Sequence, residues 1–136
     1  MKKYQLKSLK NRFKLFFKKH VLEREFFRNR IILWLLASNL ILNLINWIAI
    51  IIFINRLDVG IILHYNVYFG VDEIGDWKQA FLSPIIGLIL FALNMALAVY
   101  FFEKKERIAS YILLIASLMA QVNLMIAAVS VIMINY

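Results

Sequence analysis

Few side chains in this chain of 136 residues could carry chemistry, and most of them sit in one stretch. Residues 63–78 hold His64, Asn66, three carboxylates (Asp72, Glu73, Asp76), two glycines and four aromatics. As a chemical set, His64 with Asp72, Glu73 and Asp76 could offer nitrogen and oxygen ligands to a divalent cation. The spacing argues against that. A lone His with scattered carboxylates has neither the tight spacing of a zinc enzyme nor the alternating oxygen positions of a calcium loop. Turn formation accounts for the same residues better. Asn66 and Asp72 favour Asx turns, and Gly70 and Gly75 can adopt φ > 0. Asp76-Trp77-Lys78-Gln79 has capping-box spacing, which predicts a helix from Trp77 along the interface to about Leu82. Ser83-Pro84 then suits a second N-cap and N1, or a bend. His64, Tyr65, Asn66, Gly70, Asp72, Asp76, Trp77 and Lys78 are therefore expected to form a hydrogen-bonded loop that serves recognition. No metal or cofactor is expected. Cysteine is absent, so disulfides, thiol catalysis and Cys-based zinc sites are excluded. No nucleophile elbow, Walker loop, dinucleotide fingerprint or pair of inward carboxylates is present, which points away from an enzyme.

A second set of polar residues lies inside apolar sequence. Asn39, Asn43 and Asn46 are spaced i, i+4, i+7, within an arc of about 60° on one helix face. Gly87, Asn94 and Ala98 share a face by the same arithmetic, as do Ser110, Ser117 and Gln121. A strip of small residues, Ala109, Ala116, Ala120 and Ala127, runs beside the last of these. Asn and Gln carry both donor and acceptor, so they can satisfy one another across helices. In lipid such bonds contribute about 0.6–2 kcal/mol each. Asn39, Asn43, Asn46, Asn94, Ser117 and Gln121 are thus expected as an intramembrane packing seam. The competing reading, a polar pathway, normally requires ionisable residues, and the three apolar runs contain none between their ends.

The elements that must position both sets are three apolar runs, at 31–54, 84–102 and 108–134. At about 1.5 Å per residue each is long enough to cross a hydrocarbon core of roughly 30 Å. The chain is 63% hydrophobic and 18% charged, with the apolar excess in those blocks. An all-α membrane bundle of three helices (31–136, with a loop at 55–83) is expected, preceded by a basic segment at 1–30. The first run is too long for a signal-peptide core and reads as an uncleaved anchor. Residues 1–30 hold eleven Lys/Arg against two Glu, while 55–82 hold two against four acids. With Glu-Lys-Lys-Glu-Arg at 103–107, the positive-inside rule places the N-terminus and that link in the cytoplasm, and the 55–83 loop and C-terminus outside. Tyr65, Tyr68, Phe69 and Trp77 suit an aromatic belt at the outer surface. Within the basic segment, Leu6, Leu9, Phe13, Phe16 and Phe17 fall on one side of a helix over 4–20, opposite Lys7, Lys10, Lys14 and Lys18. Beside a span this implies a helix lying on the anionic inner leaflet rather than one that binds nucleic acid. Three helices also leave surface for a homo-oligomer or a membrane-protein partner.

The pattern His64-Tyr65-Asn66, Gly70, Asp72 and Lys78, lying between two spans, resembles a bacterial membrane domain of unknown function. That domain is found in the immunity-protein family associated with the sporulation-delaying toxin. The resemblance covers roughly residues 35–100. Two details depart from it: three residues separate Asn66 from Gly70 instead of two, and Ile61-Ile62-Leu63 stands where the family has a Pro before the His. The chain also lacks the additional spans of full-length immunity members. The resemblance implies a small bacterial inner-membrane protein in envelope protection or signalling and brings no chemistry with it. The sequence leaves three classes of function: an accessory or protective protein acting through contacts, an oligomeric holin-like pore, and a small transporter or channel subunit.

Overall fold

The computed structural model describes residues 25–54 and 60–135. Two compact units divide the chain, residues 1–34 and residues 35–136. The amphipathic segment expected at 4–20 lies outside the described residues. In the first unit a 3-10 turn, Glu25–Arg28, leads to Asn29. The Asn29 side chain accepts from the amides of Ile31 (2.9 Å) and Ile32 (3.4 Å), so it caps the helix that follows.

That helix, α1 (Arg30–Phe53), is the first of three. A hairpin follows, β1 (Ile61–Asn66) and β2 (Gly70–Gly75), then a 3-10 helix Trp77–Phe81, α2 (Leu82–Glu103) and α3 (Arg107–Asn135). The architecture is the expected all-α three-helix bundle, and each helix is long and apolar enough to cross a membrane. A hairpin stands where the sequence predicts a loop.

The second span also begins earlier than Pro84. The 3-10 helix runs directly into α2, and the apolar stretch counts from Trp77 to Glu103. Asp76 caps its start, accepting from the Lys78 amide at 2.9 Å. Ser83 is not a cap, and Pro84 sits at the third position of α2, where a missing N–H leaves no helical bond unmade.

Buried positions explain why the helices assemble. Between residues 35 and 54 they are Leu36, Asn39, Asn43, Asn46, Ile50 and Ile54. In α2 they are Pro84, Gly87, Phe91, Ala98 and Phe102. In α3 they are Ser110, Leu114, Ser117, Gln121, Ala128 and Ile132. Successive positions are three, four or seven residues apart, so they follow the helical repeat and keep one face of each helix turned inward. Opposite the seam the helices are still apolar: Leu40, Leu44, Ile48, Leu93, Ile112 and Ile126 are all exposed. In water such a surface would far exceed what a monomer tolerates, whereas acyl chains cover it without penalty.

α2 and α3 lie against one another along their lengths. Their turn is a Schellman motif. The Glu106 amide donates to Phe101 O and the Lys105 amide to Phe102 O, both at 3.0 Å, with Lys105 in the left-handed region at φ 67°. At the hairpin end, Ile50, Ile54, Ile61, Ala80, Ala128 and Ile132 form a purely apolar cluster. It joins α1, β1, the 3-10 helix and α3 into one packed unit.

Candidate functional site: amide seam and hairpin

The seam is a ladder of amide and hydroxyl side chains at successive levels. At its centre Asn43 Nδ2 donates to Pro84 O (2.9 Å) and to Gln121 Oε1 (3.3 Å), while Gln121 Nε2 donates to Gly87 O (2.8 Å). These three bonds tie all three helices at one level, and two of them use the backbone of α2. Gly87 makes this approach possible. A Cβ there would stand 2.6 Å from Gln121 Oε1 and 3.0 Å from Asn43 Nδ2.

One level toward the hairpin, Asn46 Nδ2 donates to Ser83 Oγ (3.2 Å), and Ser83 Oγ donates to Leu124 O (2.8 Å). Ser83, expected as a cap, thus serves as a relay between α1 and α3. On the other side of the centre, Asn39 Nδ2 donates to Leu35 O (2.8 Å) and to Leu114 O (3.3 Å). Farther along, Ser110 Oγ donates to Ala98 O at 2.8 Å. The partners rise together in α1 and α3 and fall in α2, as an up-down-up bundle requires.

Two expected members differ. Asn94 occupies a seam interval between Phe91 and Ala98 but is only half-buried, and its side chain makes no hydrogen bond among the described residues. Ser117 is fully buried, yet its Oγ has no partner among the described residues; Asn39 Oδ1 and Asn46 Oδ1 are also buried without one there. An unpaired buried polar atom costs about 1–3 kcal/mol. The amide donors of the seam are therefore bonded, while the Ser117 hydroxyl and two amide oxygens are not.

The hairpin carries the other candidate residues. Its strands pair Ile61 with Gly75, Ile62 with Ile74, Tyr65 with Val71 and Asn66 with Gly70, with an irregularity at His64. Asn66 forms the expected Asx turn, accepting from the Tyr68 amide at 2.9 Å, and Gly70 takes φ 80°. Gly75 has no positive φ and is needed for space instead, because a Cβ there would collide with the Gln79 side chain and Leu63. The Gln79 side chain lies against Gly75, so it does not complete a capping box with Asp76. Asp72 lies in a strand rather than an Asx turn, and its Oδ1 stands 2.6 Å from His64 Nδ1.

Both members of that pair are largely open to solvent, as are Asp76 and Lys78, whose charged atoms stand 3.9 Å apart. Among the described residues no three His or carboxylate side chains gather around one point. At the tip, Val67, Tyr68 and Phe69 are 84%, 91% and 85% exposed. Trp77 differs from the other belt aromatics. It is half-buried against the hairpin-end cluster, its ring 6.0 Å from that of Phe81.

A connection missed in the sequence fastens the hairpin to the bundle. Asn135, in the last turn of α3, accepts from the Ile62 amide (2.8 Å) and donates to Ile62 O (2.7 Å). One side chain thus supplies both bonds that an edge strand offers at that residue. An Asn at the end of the apolar stretch Val131–Ile134 was the available signal. No family model, no curated protein and no solved structure matches this chain, so the roles of seam, clasp and hairpin rest on its own residues.

Proposed function

We propose that this chain is a small non-enzymatic protein of the bacterial inner membrane that acts through contacts with protein or lipid, in an accessory or envelope-protective role. Its N-terminus lies in the cytoplasm, with the basic segment on anionic lipid, and the hairpin faces outward. One contrast carries this reading. The buried amides bond to each other and to backbone carbonyls of neighbouring helices, whereas the hairpin leaves Val67, Tyr68 and Phe69 open at its tip. Groups committed to packing make poor conduits, and exposed aromatics at the tip of a hairpin make good contact surfaces. The resemblance of the His64–Lys78 pattern to the immunity-family domain supports the same role.

Crosslinking from a photoreactive residue at Tyr68 in native membranes tests this. Adducts to a membrane protein or to lipid are expected, and their absence would count against a contact role. A second reading, a pore or a small channel subunit, draws on Asn39 Oδ1, Asn46 Oδ1 and Ser117 Oγ, three buried oxygens with no partner. Ion or solute leak from liposomes holding the purified protein would favour it and sink the first.

A further inference from the structure

Beneath the hairpin lies a cleft of about 250 Å³ that meets the seam only at Ser83 and does not reach the tip. Its walls are aliphatic: Ile54 after α1, Ala128 and Val131 of α3, and Leu63 of β1. Its polar groups are Glu73 and Gln79 at the hairpin and Ser83 below. Ser83 is engaged in the seam, but the Glu73 carboxylate and the Gln79 amide have no side-chain partner among the described residues. The ladder is irregular here: His64 stands opposite Glu73 in register while its ring meets Asp72, and Glu73 lines the cleft with Leu63.

The cleft therefore has a polarity. A single anionic group stands at its hairpin end, and apolar walls descend from there. Ala127 lines it about one helical turn below Val131 and is itself exposed, so the cleft opens sideways onto the lipid-facing surface of α3. A volume under about 300 Å³ is too small for a drug-sized molecule and suits a segment of chain.

We infer that this cleft holds one phospholipid of the surrounding leaflet whose headgroup ends in a primary ammonium. The ammonium donates to the Glu73 carboxylate and the Gln79 carbonyl, and the upper part of one acyl chain lies along Val131 and Ala127. Three N–H donors on a compact cation match two acceptors that have no other partner, whereas a trimethylated head offers no donor at all. This deepens the contact role proposed above by naming a lipid and its seat.

The test uses the full-length protein, reconstituted into nanodiscs with equal amounts of phosphatidylethanolamine and phosphatidylcholine, extracted in mild detergent, and read by native mass spectrometry. The unaltered protein is expected to retain the ethanolamine lipid at least threefold over the choline lipid. Glu73→Gln, at an exposed position, should bring that ratio to parity. Ala127→Phe, at the open side, should reduce retention of both lipids. Equal retention by the unaltered protein overturns the inference, and so does a preference that survives Glu73→Gln. Should Ala127→Phe fail to fold, the Glu73→Gln ratio alone decides. Liposome leak bears on the contact role and leaves this ratio untouched, so the two can fail separately.

Discussion

The seam and the hairpin use the same kinds of polar residue to opposite ends. Asn43 and Gln121 are 5% and 2% exposed, and their bonds cross between helices through groups that water never reaches. His64 and Asp72 approach more closely, at 2.6 Å, yet their side chains are 63% and 42% exposed. Distance alone would rank the His64–Asp72 contact above the amides. Environment reverses the order, because a bond in water competes with hydration, and a bond in lipid competes only with leaving its groups unpaired. The seam should therefore be intolerant of change and the hairpin permissive, apart from the points where the hairpin is fastened down.

The sharpest attempt to break that contrast is Gly87→Leu. Even a Cβ at this position meets Gln121 Oε1 at 2.6 Å, and the rest of the side chain has nowhere to go. Overpacking, together with the loss of the central bonds, should cost roughly 3 kcal/mol. Denaturant unfolding in detergent measures it. Near-wild-type stability would mean that the central level does not hold the bundle together. Asn43→Leu removes the donor to Pro84 O and Gln121 Oε1 without adding bulk. About 2 kcal/mol should be lost in the same assay, since one backbone and one side-chain oxygen each lose a bond. The companion test replaces Asn39, Asn43 and Asn46 together; unchanged thermal stability would end the packing account of the seam.

Asn135→Ala probes the join between the regions. It removes both bonds to Ile62, for an expected loss of about 1–2 kcal/mol, confined to the hairpin. Amide hydrogen exchange should speed up across β1 and β2 by about tenfold, with the helices unchanged. Exchange that rises equally in all three helices would show that the hairpin is part of the bundle's cooperative unit. Ser117→Ala has the opposite sign. A buried hydroxyl with no partner is replaced by a methyl, so the bundle should gain about 1 kcal/mol. A loss instead would mean that Ser117 serves something beyond packing, as the pore reading requires.

How legible this was in the sequence follows the same division. The helices and the seam could be read because their spacing is a long-range regularity: Asn39, Asn43, Asn46, Ser117 and Gln121 all fall on buried faces. Asn94 shows the limit. Its spacing fits, but face assignment at 100° per residue cannot say how much of a seam position a neighbouring helix covers. The strands were hidden because Ile61, Ile62 and Leu63 make a continuous apolar run, which does not distinguish a half-buried strand from a segment folded against a bundle. The roles of Ser83 and Asn135 were hidden for another reason. Each bonds to a backbone carbonyl or amide far away in sequence, Leu124 and Ile62, and every residue has such groups, so sequence marks neither end as a pair. Gly75 looked like a turn glycine because only the packed structure shows Gln79 lying over it.

The smallest effect is expected where the geometry looks strongest. His64→Ala and Asp72→Ala, alone and together, form a double-mutant cycle on the closest polar contact of the hairpin. Exposed pairs of this kind couple by about 0.2–1 kcal/mol, and about 0.5 kcal/mol is expected here, read from hydrogen exchange at the hairpin amides. Neither change should move global unfolding, because both side chains face away from the apolar cluster that holds β1 to the helices. A coupling above about 2 kcal/mol would require the pair to be shielded from water, which its exposure denies unless lipid or a partner covers that face. The same cycle measured in nanodiscs and in detergent separates those conditions. A coupling that grows only in nanodiscs would place the His64 face against headgroups, and the permissive character of the hairpin would then belong to the detergent-solubilised protein alone.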